Sequence, residues 1–370
     1  VATISAEELE ALRDALRRLL ADHGTEADVR RAMETPAGYD ADLWGRLAEM
    51  GIVGLVIDQA YGGSEAGPVE LEAVMEEVGA ALLCSPLLAS GVLAAEFLRA
   101  LGDESAETRL LPRIADGTLI ASVALSAEYG DWAPEVTDIT ATRSGETWSL
   151  DGVAAYVLHG QNADLLLAVA ESAEGPMVFE VDPSAEGVVV EPMPTFDHTL
   201  RLAKITFEDA DATPLDPAVP VADAVKQALD LAAVALAGEQ AGGARRCLEF
   251  TVDYAKSRLQ FGRAIGSFQA IKHMAADLLL ETESAISAAR DAAASLARGS
   301  PEACAAISLA AFACAEAFVA TTAASIQMHG GIAFTWDHPA HLYLRRARAD
   351  AQLFGSAAFH RERFLQEVGG

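Results

Sequence analysis

Positive charge is scarce in this 370-residue chain, where 26 Lys and Arg face 55 Asp and Glu for a formal net charge of −29. A surface of that sign repels phosphate, so neither nucleic acid nor an anionic membrane is an expected partner, although a local basic pocket remains open. Cysteine is scarce as well. Cys84, Cys247, Cys304 and Cys314 show neither C-x-x-C nor metal-ligand spacing, which predicts reduced thiols, no metal centre and a cytoplasmic setting. G-x-G-x-x-G and G-x-x-x-x-G-K-S/T are both missing, and with them the sequence signs of a Rossmann or P-loop nucleotide site. The opening residues are acidic and helical rather than basic and then apolar, so no secretory signal is expected. Ala305–Ile326 approaches membrane-spanning length, but its Ala and Thr content and Glu316 predict a buried bundle helix instead.

What is present divides the chain in three. With 51% hydrophobic and 22% charged residues, it is long enough for two or three packed regions. Residues 1–118 read as a helical domain. Ser5 precedes Glu7 and Glu8, a cap with first-turn carboxylates, and Leu9, Leu12, Leu16 and Leu20 follow at helical spacing. Further helices are predicted over Asp40–Met50 (stopped by Gly51), Val69–Leu82 and Leu88–Leu101 (stopped by Gly102). Residues 119–220 are richer in Thr and Val. Short alternating segments there, with Ser144-Gly145-Glu146 and Asp151-Gly152 as tight turns, predict an antiparallel barrel or sandwich. Residues 221–370 read as a four-helix bundle over Val221–Ser257, Phe268–Leu296, Pro301–Met328 and His338–Gln366, with Ser300 and Pro301 as cap and first residue of the third. The class is α+β.

Two bundle segments carry chemistry. In the first, Arg258 ends a helix and could pair with a diphosphate through fixed, permanently charged donors, and Phe261-Gly262 breaks the chain where a backbone could approach a ligand. In the second, Gln327 offers both donor and acceptor, and Gly330-Gly331 removes any Cβ from the path. On residue chemistry alone, an ion pair at the helix end and a plain glycine turn are the favoured reading. Together, however, Tyr254, Arg258, Phe261-Gly262, Ile265 and Gln269 resemble the Y-x-x-x-R-x-x-F-G-x-x-I-x-x-x-Q signature of acyl-CoA dehydrogenases. Gln327, Gly330-Gly331 and Phe334 resemble that family's Q-x-x-G-G-x-G/A-F loop. Leu43-Trp44, Gly51 and Tyr61-Gly62-Gly63 resemble its N-terminal domain, so the likeness runs through the whole chain in order.

The resemblance implies an FAD enzyme that oxidises acyl-CoA thioesters and passes electrons to an electron-transfer flavoprotein. It implies that Arg258, Gln260, Phe261, Gln269, Gln327, Gly330 and Gly331 contact FAD held mainly by a neighbouring subunit, with His329 one layer behind the adenine. The half of the site that a chain builds for its own flavin departs from the pattern. The family's T-E-P-x-A-G-S-D corresponds to the shorter segment from Ser126 to Trp132, without the hydroxyl pattern, and its W-I-T/S corresponds to Tyr156, Val157 and Leu158. Leu158 cannot donate a hydrogen bond.

The base is missing too. The family's carboxylate before Gly-Thr corresponds to Phe354, and the alternative base position on the first long bundle helix corresponds to Ala232, followed by Ala233. Glu239 lies seven residues further on, roughly 10 Å along a helix and too far for direct proton abstraction without a different substrate pose, and Asp230 and Asp350 are further candidates. Loss confined to one side of the flavin resembles the β subunit of actinobacterial α2β2 acyl-CoA dehydrogenases of steroid side chains, in which a sister subunit holds FAD and supplies the base. An active homotetramer using Glu239 or Asp230, and a flavin-free scaffolding relic, are the other readings.

Overall fold

A computed structural model of the chain describes residues 5–127, 132 and 137–369. Its first helices are α1 (Ala6–His23), α2 (Glu26–Glu34), α3 (Ala41–Glu49), α4 (Pro68–Ala80), α5 (Ala95–Leu101) and α6 (Glu104–Ala115). A reciprocal capping box opens α1: the Glu8 N–H donates to Ser5 Oγ at 3.2 Å and the Ser5 N–H to the Glu8 carboxylate at 2.8 Å. Thr25 and Asp28 build the same box for α2, which the sequence reading passed over along with α6. The segment before α5 is wound more loosely, as a π-helical stretch over Leu87–Ala94.

The middle of the chain holds β1 (Ala121–Ala124), β2 (Asp138–Ser144), β3 (Thr147–Leu158), β4 (Leu165–Ser172), β5 (Gly175–Val181), β6 (Val188–Pro192) and β7 (Leu202–Pro214). Pairing runs β2–β3–β7–β5–β4 and returns to β2, so the sheet closes as a barrel around Trp148, Leu150, Phe179, Ile205 and Phe207. It is not wholly antiparallel as predicted. β4 lies parallel to β1 (Ala121 opposite Leu165) and to the edge of β2 (Thr140 opposite Glu171), because those strands are joined through other elements rather than by hairpins.

Beyond the barrel come α7 (Val221–Ser257), a two-stranded hairpin of β8 (Leu259–Gln260) and β9 (Arg263–Ala264), α8 (Gln269–Ala297) and α9 (Ala303–His329). The third bundle helix therefore starts two residues after Pro301, with Ser300 Oγ accepting from the Glu302 N–H. The fourth predicted helix is two, α10 (Ala340–Asp350) and α11 (Ala357–Gly369). Phe354 (φ 58) and Gly355 (φ 114) take left-handed or positive-φ backbone that no α-helix continues through. Although Ala303–Phe334 is long and apolar enough to cross a membrane, α9 is packed against α7, α8 and α11.

Helix α4 crosses α7 with backbones in contact: a Cβ on Gly79 would lie 1.9 Å from Glu239 O, and one on Gly242 only 1.8 Å from Glu76 O. Larger residues at either position would force the helices apart. The crossing buries carboxylates. Arg13 of α1 binds Glu76 at 2.7 Å and Arg290 of α8 binds it at 2.9 Å. Burial alone would raise Glu76, but these guanidiniums hold it at about 2, while burial and the Glu76 charge push Glu72 up to about 9.

Candidate flavin surface and active-site core

Arg258 is the residue at which α7 ends, its N–H donating to Tyr254 O at 2.8 Å. Phe261 (φ 53) and Gly262 (φ 77) form the tip of the following hairpin, both in the left-handed region that two-residue hairpin turns require. That geometry drives the Phe261 ring outward until it is 91% exposed. Beside it, Arg263 lies over the Phe268 ring at 3.9 Å, and Gln269 Nε2 reaches His273 Nε2 at 3.1 Å at the start of α8. Gln260 is exposed on the hairpin, and Gln327 is exposed on the last turn of α9.

The two motifs meet through Tyr254, whose ring lies 4.3 Å from that of His329. His329 is buried directly before the glycine pair. Gly330 turns the chain at φ 68 and ψ −145, while a Cβ at Gly331 would meet nothing of this chain within 4 Å. Nothing in the chain's own packing requires glycine at 331; what it leaves is room for a body approaching from outside. Arg258 and Arg263 form no ion pair among the described residues, in a chain where acidic residues outnumber basic ones two to one. Two guanidiniums without an ion pair, and a glycine turn that the chain leaves open, each fit a diphosphate nucleotide supplied by another subunit.

The core where a dehydrogenase would hold its reacting atoms is closed. Phe354 is buried, and its ring meets that of Trp132 edge to face at 5.2 Å. Ala232 is also fully buried in the apolar core, so both positions matched above to a base carry hydrocarbon side chains. The cavity along Ala233, Leu236, Gln240 and Phe354 has a volume of about 10 Å³, far below what an acyl chain needs. A crevice of about 420 Å³ survives between the barrel and α10, walled by Tyr156, Met193, Leu200, Arg348, Leu353 and Trp132. In the barrel domain Leu158 is buried and Ser126 spends its hydroxyl on Ala155 O, so neither side chain offers a donor to a flavin ring. Of the segment matched to the family's hydroxyl-bearing stretch, residues 128–131 lie outside those described. Tyr156 (φ 56), like Phe354, is a bulky residue in left-handed backbone, a strain that clusters at functional centres. These features do not fit a flavin held by this chain for itself.

Of the other candidate carboxylates, Glu239 and Asp230 are engaged in ion pairs. Glu239 binds Arg346, which also donates from Nε to Asp197 Oδ2 at 2.9 Å. Asp230 sits between Lys226 at 2.9 Å and Arg363 at 2.6 Å. Asp350 is held well above the ordinary Asp value, first by burial and then by the Glu239 charge. Sequence reasoning missed Arg346 and its partners Asp197 and Thr199, for which the Arg345-Arg346 doublet in an Ala-rich helix was the only sign. Restoring a carboxylate with Phe354→Glu is expected to leave the chain without acyl-CoA oxidation and to destabilise it by roughly 2 kcal/mol or more, since the new charge has no partner. Urea unfolding and a dye-reduction assay check this; a gain of turnover would contradict it.

Models of the N-terminal and C-terminal domains of acyl-CoA dehydrogenases match residues 6–118 and 222–369. The chain is 36% identical over 363 residues to acyl-CoA dehydrogenase IpdE2 of Mycobacterium tuberculosis, with 98% of each chain covered. Among solved structures it is similar to the ChsE4–ChsE5 complex of Mycobacterium tuberculosis, with a TM-score of 0.90 at 26% identity over 100% of this chain and 99% of that one. A variant of the Tcur3481–Tcur3483 steroid ACAD matches with a TM-score of 0.88 at 30% identity, covering 98% of both. With the three-part architecture and both bundle motifs in place, the chain belongs to the acyl-CoA dehydrogenase family.

Proposed function

We propose that this chain is the half-site subunit of a heteromeric, cytoplasmic, FAD-dependent acyl-CoA dehydrogenase of α2β2 type, acting on a CoA thioester of steroid origin. The observation that carries the reading is an asymmetry. The surface that would meet a neighbour's cofactor is exposed and charge-ready at Arg258 and Arg263, while the centre that would serve the chain's own is packed with Phe354 against Trp132. The reading is further supported by similarity to two proteins whose names are those of two-component complexes, one of them a steroid ACAD.

In the assembly, a carboxylate of the sister subunit removes the proton alpha to the thioester as the beta hydrogen departs as hydride, leaving an α,β-unsaturated thioester. FAD bound there would supply the hydride acceptor, and an electron-transfer flavoprotein would take up the electrons. The work of this chain is binding. Arg258 neutralises diphosphate charge, with Arg263 alongside. Gln327, Gln260 and Gln269 present amides to the nucleotide, Phe261 gives it an apolar face, and Gly330-Gly331 admits it closely. A homotetramer using Glu239 or Asp230 finds no support, because each is already bound by guanidinium or ammonium groups and is not free to take a proton.

Expressed alone, the chain is expected to purify colourless and to leave acyl-CoA thioesters unchanged in a dye-reduction assay. Co-expressed with a sister acyl-CoA dehydrogenase subunit, it should co-purify with bound flavin. A yellow, active preparation of this chain by itself would sink the reading.

A further inference from the structure

Behind the Arg258 and Gln327 surface lies a set of rings that the reading above leaves unused. Tyr254, one turn before Arg258, stacks on His329 and donates its hydroxyl to His329 O at 3.4 Å. His329 in turn lies 4.3 Å from the His338 ring, and Phe250 closes the group at 5.8 Å from His329 and 5.9 Å from His338. His329 immediately precedes the Gly330 turn, and His338 follows the same loop where it enters α10. Resting on the flavin reading, we propose that Tyr254, His329 and His338 are positioning residues: their stack clamps both ends of the Gly330–Asp337 loop to the end of α7, and so sets the surface that receives the neighbour's flavin nucleotide.

Hydrogen bonds assign the protons. His329 Nδ1 lies 2.8 Å from Ser325 O, which can only accept, so this nitrogen carries the hydrogen and the buried, partnerless Nε2 does not. His338 Nδ1 accepts from the Ala340 N–H at 3.2 Å, so its hydrogen is on Nε2. Both rings are neutral. Protonating His329 would create a buried N–H without an acceptor, and protonating His338 would remove the acceptor of the first amide of α10. Burial lowers both pKa values, and His338 is lowered further by His329. Of the charged groups facing the cluster from α2, Glu26 opposes this shift at His338 and Arg30 reinforces it. His341, on α10 beside Arg345, is depressed to about 4 by burial and that guanidinium. With folded values below the ordinary one, the contribution of the stack is fully present above the usual imidazole range and is lost as pH falls through the lowered values.

The test uses the co-purified complex, with the FAD dissociation constant measured at about pH 7.5 and about pH 5.5, on either side of the ordinary imidazole value. His329→Ala is expected to weaken FAD binding roughly three- to tenfold at the higher pH, the size of a lost ring contact. His329→Phe, which keeps a ring without a titrating nitrogen, should recover most of that loss and flatten the acid-dependent weakening expected of the native complex. Nitrogen-15 imidazole spectra of the full chain should show His329 as the Nδ1–H tautomer and His338 as the Nε2–H tautomer, both titrating below the free imidazole. FAD binding unchanged in His329→Ala, an undiminished acid response in His329→Phe, or the opposite tautomers would each overturn the proposal. Failure of the flavin reading itself looks different. There, Arg258→Ala would also leave FAD binding unchanged while the imidazole spectra kept the predicted tautomers.

Discussion

Replacing Arg346 with Met is expected to destabilise the chain by about 3–5 kcal/mol, because it strips the counterion from buried carboxylates. Arg346 is 4% exposed, and its guanidinium is the point at which all three regions of the chain meet. It binds Glu239 of α7 and Asp197 in the segment between β6 and β7. From the same segment it takes Thr199 O at 2.9 Å and Thr199 Oγ1 at 2.8 Å, and from the N-terminal helices it takes Leu83 O at 3.3 Å. Five acceptors arranged around a planar fork leave Lys no adequate substitute, so Arg346→Lys should recover only part of the loss. Glu239→Gln combined with Arg346→Met should be less damaging than the sum of the two, since Glu239→Gln removes one of the anions that Arg346→Met leaves stranded. Urea unfolding reads all four proteins. A change under about 1 kcal/mol for Arg346→Met would mean that water reaches the cluster and screens it.

The second large effect is on cofactor retention rather than on stability. In the co-purified complex, Arg258→Ala is expected to weaken FAD binding about 10- to 100-fold, the range for losing a hydrogen bond to a charged group. Arg258→Lys should fall between, because a point charge keeps attraction but loses the fork. Because Arg258 has no ion-pair partner among the described residues, the melting temperature of the chain alone should hardly move in either variant. An unchanged FAD affinity would remove Arg258 from the cofactor surface.

Much of the architecture was legible because local chemistry decides it. The cap at Ser5, the stops at Gly51 and Gly102 and the period change near residue 119 are read within a few residues, and the elements fall close to them. Helix α2 escaped because its apolar stripe is short, although Thr25 and Asp28 spelled its capping box. Pro112 inside α6 argued against a helix that exists all the same. Barrel closure through the parallel β2–β4 edge depends on pairing across the whole domain, which no local pattern encodes.

The cofactor surface was readable for the same reason as the caps: Arg258, Phe261-Gly262 and Gly330-Gly331 are short motifs whose backbone demands are visible in sequence. Its supporting stack was not, because nothing local predicts that Tyr254 meets His329, 75 residues away. The closed core was half visible. Phe354 and Ala232 could be matched to base positions, yet the commitment of Glu239 to Arg346 spans 107 residues and needed the fold.

The ratio of flavin to protein in the intact complex tests the central claim most directly. Quantified by flavin absorbance against subunit mass spectrometry, it should be one FAD for every two chains, lost when this chain is removed and reduced by Arg258→Ala. One FAD per chain, or flavin retained by this chain on its own, would contradict the account.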